Sequence, residues 1–217
     1  MMEGMLFLRK RNTEHQKLVL CLMFFLLTLS FSLLYFDAII ISWIRHFRAS
    51  NSTIFLLYQS AVPSIKIITH GTTIIIAAFI LYVFGMVFKQ RFYEVGKSLI
   101  IGFVSSGIVV QILKHLIGRA RPRLTDNPVF LGPSLKSGYD SFPSGHVTVT
   151  FCLAYILSQH YPKYKIVFYG FAILTAFDRL GGLSHFFSDV LAGAVLGLIV
   201  GKALSVKIFH HREPTIP

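Results

Sequence analysis

The chain has 217 residues, a length that suits one domain, and 54% of them are hydrophobic while only 14% are charged. Soluble domains carry about 25% charged residues, so the composition predicts an all-α integral membrane protein. The formal net charge of +12 fits the basic loops and edges of such a protein. Because no basic stripe with interleaved aromatic residues lies outside the apolar segments, nucleic acid is not expected as a partner.

Six apolar segments follow one another and predict a bundle of six transmembrane helices. The first covers residues 18–36, where 19 uncharged residues give about 28 Å of helix, close to one hydrocarbon thickness. A basic segment precedes it, as in a signal peptide, but the run is too long and no small-residue cleavage pattern follows, which favours an uncleaved span. The other five spans are predicted at 67–88, 95–117, 146–159, 166–180 and 188–204.

The segment between the first two spans, residues 37–66, predicts short helices lying in the membrane interface. Its apolar residues recur at helical spacing, and Trp43 suits an interfacial anchor. A packed loop is the alternative for this segment. The polar tail predicted at 205–217 follows the last span.

Small residues predict where helices approach each other closely. Gly193, Gly197 and Gly201 recur every four residues in the last span, and Gly102 and Gly107 lie in the third. Glycines on one helix face let two backbones come close together in a membrane bundle. We therefore expect both helices to pack tightly against neighbours through these faces.

Charge predicts the orientation of the bundle. An even number of spans puts both termini on one side, and Lys and Arg are more numerous in the segments on that side. Cytoplasmic segments carry such an excess, so the termini are predicted to be cytoplasmic. The polar loop 118–143, with four prolines, then lies on the outer face.

Three segments on the predicted outer face carry charged, small or histidine residues in a characteristic order. The first contains Lys114 and Arg121-Pro122, the second contains Ser144, Gly145 and His146, and the third contains Asp178, Arg179, His185 and Asp189. Charged groups at membrane depth are costly, so their joint occurrence indicates a functional site. Each fragment by itself has a plainer alternative, a packed and satisfied polar group.

The cations of these segments suit a phosphate group. Arginine binds phosphate oxygens in a fork and lysine supplies a point charge, which predicts roles for Lys114, Arg121 and Arg179. Lys114 and Arg121 are seven residues apart, about two helical turns, and can share a helix face before Pro122 ends the helix. The helix N-terminus that follows Ser144 adds backbone N–H groups for an anion.

The histidines suit transfer of that phosphate. If residues 185–189 are helical, Asp189 lies one turn from His185 and can hold one imidazole N–H, which leaves the other nitrogen nucleophilic. His146 is then placed to protonate the leaving oxygen. A zinc site is the competing reading of two histidines with aspartates, but three nearby cations would repel the metal, so no metal is expected.

The three motifs resemble the signature motifs of the phosphatidic acid phosphatase type 2 superfamily, which includes bacterial acid phosphatases, glucose-6-phosphatase and vanadium haloperoxidases. They span residues 114–189 of a single predicted domain, 1–217. The resemblance implies a metal-independent, cofactor-free phosphatase that acts through a phosphohistidine. The implied roles are nucleophile for His185, orientation by Asp189, general acid and then base for His146, and phosphate binding for Lys114, Arg121, Arg179, Ser144 and Gly145.

One residue departs from the family pattern. The family usually has a serine just before the arginine of the third motif, and this chain has Asp178. A carboxylate aimed at a phosphate would repel it. We therefore expect Asp178 to turn away and pair with a cation such as Arg179 or Lys114, which would lower the net positive charge of the site.

The motif wording is similar to that of bacterial lipid A phosphatases, which implies a multi-pass protein of the bacterial inner membrane with a periplasmic active site. Lipid A or a related lipid phosphate is the favoured substrate. Undecaprenyl pyrophosphate and phosphatidylglycerophosphate are alternatives, because their phosphatases share the motifs. A lipid phosphotransferase, a haloperoxidase and a catalytically silent binding protein are alternatives of other classes. The oligomeric state is not predicted.

Overall fold

The computed structural model describes residues 2–50 and 53–210, with side chains described for 16, 17, 19–50 and 53–206. This part of the chain is all-α and contains eight α-helices. They are α1 (Met2–Phe31), α2 (Asp37–Ala49), α3 (Thr53–Thr69), α4 (Gly71–Val87), α5 (Gln90–Ile117), α6 (Gly145–His160), α7 (Lys165–Gly181) and α8 (Phe187–His210). Of the predicted polar tail, 205–210 belongs to α8 and 211–217 lies outside the described residues.

Several of these helices are long and apolar enough to cross a membrane. Within the described residues they are Val19–Ala49, Gln90–Ile117 and Phe187–Val206, and the pair α3 and α4, bent by 46°, makes a fourth if it is one broken span. Helices α6 and α7 have 16 and 17 residues, which at 1.5 Å per residue fall short of a hydrocarbon core of about 30 Å. The multi-pass membrane architecture is confirmed, and the count of six spans is not.

The first helix continues beyond the end predicted for it at Phe36. A π-helical segment, Ser32–Phe36, joins α1 directly to α2. The charge of Asp37 does not end the helix because its side chain is fully buried against partners from distant parts of the chain. The predicted interfacial segment is therefore the far end of a long helix, followed by α3, and Trp43 is 65% exposed on it.

The closest helix packing joins α6 to α8 through the predicted glycine face. A Cβ atom would lie 2.8 Å from Ser144 O at Gly193, 2.3 Å from Thr148 O at Gly197 and 2.9 Å from Cys152 O at Gly201. Real Cβ atoms do not approach a backbone oxygen so closely, so only glycine permits this contact. Gly102 is similarly tight, 2.5 Å from Ile156 Cδ1, but Gly107 has no atom within 4 Å, so the prediction for Gly107 is wrong.

The apolar core lies where α4, α5 and α6 meet. Its buried members are Ala78, Val95, Leu99, Cys152, Leu153 and Ile156. This core and the glycine contacts fix the C-terminal end of α5 beside the N-terminal ends of α6 and α8. The charged segments predicted to form a site all lie at that end of the bundle.

Candidate active site

The first and second motifs meet where α5 ends and α6 begins. Lys114 lies in the last turn of α5 and its side chain is buried. A Cβ atom at Gly145 would lie 3.4 Å from Lys114 Cε and 3.7 Å from Nζ. These are ordinary van der Waals distances, so the Lys114 side chain lies directly against the first turn of α6.

Arg121 reaches the same place by a chain reversal and not by a shared helix face. Helix α5 ends at Ile117 because Gly118 adopts a left-handed conformation, φ +60°. A Cβ atom there would lie 1.9 Å from Gly132 O, so glycine is required. The predicted end of the helix at Pro122 is therefore wrong, and Arg121 lies in the loop beyond it.

Asp140, which the sequence did not single out, holds the two cations together. Its carboxylate accepts from Arg121 Nε at 2.9 Å and Nη2 at 2.6 Å, and Lys114 Nζ lies 3.7 Å from Oδ2. Partial burial by itself raises the pKa of Asp140, but the hydrogen bonds and charge of Arg121 outweigh it, and the pKa lies below its ordinary value. Asp140 is thus a permanent counter-ion of the cationic pair.

His185 is positioned mainly by a backbone carbonyl. Its Nδ1 lies 2.8 Å from Ser141 O and 3.6 Å from Asp189 Oδ2. The 3.6 Å separation from Asp189 is too long for a hydrogen bond, so the imidazole N–H donates to Ser141 O and Asp189 is only a nearby negative charge. His185 lies before α8, which starts at Phe187, so the predicted helical 185–189 segment is only partly helical. With Nδ1–H donated to a carbonyl, the lone pair is on Nε2.

Burial determines the charge of His185. The side chain is 3% exposed, and desolvation, aided by the positive charges of Lys114 and Arg121, lowers its pKa below the ordinary value of 6.5 although Asp189 opposes the shift. The imidazole is neutral at pH 7, as a nucleophile must be.

Asp189 is fixed by a buried set of donors. Its Oδ2 accepts from Ser141 Oγ at 2.5 Å and from Phe186 N at 2.8 Å, and its Oδ1 accepts from Arg119 Nη1 at 2.5 Å. The side chains of Asp189 and Arg119 are both 0% exposed. A buried carboxylate held on three sides cannot turn away from the His185 ring.

Arg119 extends this network to the first long helix. Its Nη2 donates to Asp37 Oδ2 at 2.7 Å, and Nη1 also donates to Ser188 Oγ at 2.6 Å. Ser188 in turn donates its N–H to Asp37 Oδ1 at 2.8 Å and its hydroxyl to Oδ2. One buried cation therefore bridges two buried carboxylates, Asp37 and Asp189, and ties α2 to the start of α8.

Arg179 pairs with its sequence neighbour. Asp178 accepts from Arg179 Nη2, so the expectation that this carboxylate would pair with a cation is confirmed. Within the described part of the chain, Arg179 Nε and Ser144 Oγ are buried without a hydrogen-bond partner. Buried polar groups are nearly always satisfied, so both positions suit an anion that supplies acceptor oxygens.

His146 stands at the edge of a cavity of about 240 Å³. It is half-buried in the first turn of α6, and its ring centroid is 6.5 Å from that of His70, the residue that separates α3 from α4. The cavity wall also contains Lys114 and the apolar residues Ile74, Phe103, Val110 and Val149. The space next to Lys114 and His146 is therefore mostly hydrophobic.

The structure places Lys114 beside Gly145 and His146, joins it to Arg121 through Asp140, and holds Asp189 beside His185. Ser144 N donates to Asp189 O at 3.0 Å, and Arg179 pairs with Asp178.

The structure also adds five residues that the sequence left out. The added residues are Asp37, Arg119, Asp140, Ser141 and Ser188. The sequence could have indicated Asp37 and Arg119, because each is a charged residue directly beside an apolar span, where a charge is costly unless it is paired. Ser141 acts through its carbonyl as well as its hydroxyl, and a carbonyl leaves no signature in the sequence.

Residues 95–213 match the sequence model of the PAP2 superfamily. A "Lipid A 1-phosphatase" from Rhizobium johnstonii is 36% identical over 106 residues, 48% of this chain and 43% of that protein. An "Undecaprenyl-diphosphatase" from Sulfolobus acidocaldarius is 31% identical over 125 residues, 57% of this chain and 59% of that protein. The chain therefore matches about half the length of these relatives.

The fold is also similar to a solved structure. The crystal structure of a transmembrane PAP2 type phosphatidylglycerolphosphate phosphatase from Bacillus subtilis aligns with a TM-score of 0.66 and 21% identity. The alignment covers 92% of this chain and 98% of that one. Most of the N-terminal part, α1 to α4, which lies before the matched family region, therefore belongs to the shared fold.

Proposed function

Since the chain belongs to the PAP2 superfamily, we propose that it is a membrane lipid phosphatase that hydrolyses a phosphate or pyrophosphate headgroup without metal or cofactor. The observation that carries the proposal is the joint placement of a neutral, oriented His185 and cations with two unpartnered buried groups, Ser144 Oγ and Arg179 Nε. Phosphate oxygens would satisfy both groups.

In the first step, His185 Nε2 attacks phosphorus and the bond to the lipid oxygen breaks. The Ser141 carbonyl keeps Nδ1–H pointing away from the substrate, and Asp189, 3.6 Å from Nδ1, stabilises the positive charge that develops on the ring. His146 donates a proton to the leaving oxygen, which departs as a neutral alcohol, or as a lipid phosphate from a pyrophosphate.

In the second step, a water molecule attacks the phosphohistidine. His146, now without its proton, takes one from the water while the P–N bond breaks, and inorganic phosphate and neutral His185 are regenerated. Lys114, Arg121 and Arg179 stabilise the charge on the equatorial oxygens in both steps, with Ser144 and the Gly145 amide beside them. Asp140 and Asp178 keep the cations in place and lower the net charge of the site.

The apolar cavity beside His146 supports a lipid substrate, since it offers a hydrophobic surface next to the phosphate. Lipid A or a related lipid phosphate of the outer leaflet is our first choice, and undecaprenyl pyrophosphate and phosphatidylglycerophosphate are the alternatives. A lipid phosphotransferase is the alternative of another class. We further propose a bacterial inner-membrane protein in which α6 and α7 complete six crossings, with cytoplasmic termini and a periplasmic active site.

The test is phosphate release by purified protein from lipid A, undecaprenyl pyrophosphate, phosphatidylglycerophosphate and phosphatidic acid in excess chelator. We expect release from at least one lipid without any effect of the chelator. Transfer of phosphate to a second lipid without release of free phosphate would instead assign a phosphotransferase. Activity that disappears with the chelator and returns with a metal would contradict the proposed mechanism.

Filling the cavity beside His146 should impair lipid substrates selectively. Gly107 lines this cavity and has no atom within 4 Å of an added Cβ. We expect Gly107→Leu to lower kcat/KM for a long-chain lipid phosphate by about 10- to 100-fold, because a small displacement of the substrate from its reactive position costs that much. Hydrolysis of p-nitrophenyl phosphate, which has no lipid chain, should stay within about twofold of the unsubstituted protein. Gly170→Leu, at an equally open position on α7, is the control and should change neither. Equal losses on both substrates would refute this role.

The buried imidazole should titrate below its ordinary range. Folding lowers the pKa of His185 below 6.5, so the unfolded chain binds the proton more tightly and folded stability is lost as pH falls below 6.5. We expect the ¹⁵N resonances of His185, assigned by comparison with His185→Ala, to stay those of a neutral ring at pH 6.5 and to change only under more acidic conditions. Half-protonation at or above pH 6.5 would contradict the burial argument.

A further inference from the structure

A second cavity, of about 430 Å³, lies between the end of α2, helix α3 and the turn at residues 181–183. Three cations line it: Arg48, Lys66 and Arg123. Gln59 and the half-buried Tyr58 add polar groups from α3. None of the lining residues, all of which belong to the described ranges, is acidic. The mechanism above uses none of these side chains.

This basic cavity adjoins the active site through two chain segments. Arg123 follows the phosphate-binding Arg121 by two residues, and its Nη2 donates to Ser184 Oγ at 2.9 Å, next to His185. The turn 181–183 connects Arg179 to His185 along the chain. A group bound here would therefore contact chain segments that also carry active-site residues.

The three cations of this cavity differ from Arg121 and Arg179 of the active site in their partners. Arg48 Nη1 and Arg123 Nη2 donate to the carbonyls of Gly181 and Gly182, both at 3.4 Å, and carbonyls do not neutralise charge. Among the described residues, none of the three forms an ion pair with a carboxylate. Cations around one cavity repel each other unless an anion joins them.

We propose that the basic cavity binds a second anionic phosphate group, separate from the one that is hydrolysed. The group comes either from the same substrate, as the second phosphate of a bisphosphorylated lipid, or from the headgroup of a neighbouring anionic phospholipid. Both present phosphate oxygens to arginine and lysine side chains at a membrane surface. The proposal rests on the proposed phosphatase function for its effect on rate, but its binding part does not.

The test uses the double variant Arg48→Gln/Lys66→Gln, which removes two charges and keeps Arg123 beside Ser184. Its matched control is Lys163→Gln/Lys165→Gln, an equal charge change on exposed residues at the opposite end of α6. In phosphatidylcholine nanodiscs, kcat/KM is compared for diphosphoryl lipid A and its 1-monophosphoryl analogue. A second arm measures the monophosphoryl analogue with and without added phosphatidylglycerol.

In the unsubstituted protein we expect the second phosphate, or added phosphatidylglycerol, to raise kcat/KM. In the double variant this increase should be about tenfold smaller, and in the control it should be unchanged. The arm that shows the loss identifies the source of the anion. No loss in either arm, or an equal loss in the control, would overturn the proposal. Binding of fluorescent diphosphoryl lipid A is also measured for the His185→Ala protein, with and without the double substitution. This measurement tests anion binding in the basic cavity independently of phosphatase activity. An affinity loss of about tenfold supports the cavity even if the chain proves not to hydrolyse lipids.

Discussion

Replacing His185 with alanine is expected to abolish phosphate release. In the proposed mechanism the substitution removes the atom that bonds to phosphorus, and loss of a catalytic nucleophile costs on the order of 10⁴-fold or more in kcat. The measurement is release of inorganic phosphate from the best lipid of the panel. His185 is buried, with Nδ1 near Ser141 O and Asp189 Oδ2, so the melting temperature of the variant is measured alongside to confirm that it folds.

His146→Ala is the matched control, because the proposed mechanism assigns the two histidines to different bonds. With p-nitrophenyl phosphate, whose leaving group needs no proton, His146→Ala should still form the phosphohistidine but hydrolyse it slowly. Acid-labile ³²P-phosphate should therefore accumulate on His146→Ala and be absent from His185→Ala. Labelling of the His185→Ala protein, or phosphate release by this variant above about 1% of that of the unsubstituted protein, would assign the nucleophile to another residue.

Replacing Arg119 with methionine is expected to destabilise the fold strongly. The guanidinium bridges Asp37 and Asp189, and all three side chains are 0% exposed. Removing one partner of a buried ion pair typically costs about 3–5 kcal/mol, since it leaves a charge buried without compensation, and here two carboxylates lose their cation. At about 2–4 °C per kcal/mol for a chain of this size, we expect the melting temperature to fall by roughly 6–20 °C.

A second substitution separates stability from activity. Adding Asp37→Asn to Arg119→Met removes one uncompensated charge and should restore part of the melting temperature. It should not restore phosphate release, because Asp189 still lacks Arg119 and is free to move relative to His185. Full recovery of activity in the double variant would show that Arg119 only stabilises the fold.

An arginine outside the network provides the control for Arg119. Arg91 is exposed, donates to His160 O at 3.5 Å and lies 4.7 Å from the Tyr161 ring centre. Contacts of this kind contribute about 1 kcal/mol or less. Arg91→Met should therefore shift the melting temperature only slightly and leave phosphate release unchanged. A loss comparable to that of Arg119→Met would contradict the special role of the buried network.

The sequence by itself determined the membrane class, the close-packing glycine face of α8 and the residues of the three motifs. These features could be predicted because they depend on residue type and local spacing. A run of apolar residues needs a bilayer, glycines four apart need a close neighbour, and Arg, Lys and His in a fixed order suit phosphate. The pairing of Asp178 with Arg179 belongs with them, since the partners adjoin in the chain.

Only the tertiary structure decided how those residues are held. Asp37 and Arg119 are 82 positions apart, and Asp37 and Ser188 are 151 apart, so no local pattern pairs them. From the sequence, α5 is expected to end at Pro122. It ends earlier, at Ile117, just before Gly118, where the backbone of Gly132 across the loop leaves no room for a side chain, and local spacing does not show this contact. The acceptor for the His185 ring is a backbone carbonyl, which every residue possesses. Which carbonyl or carboxylate meets a given cation depends on how the folded chain brings distant segments together.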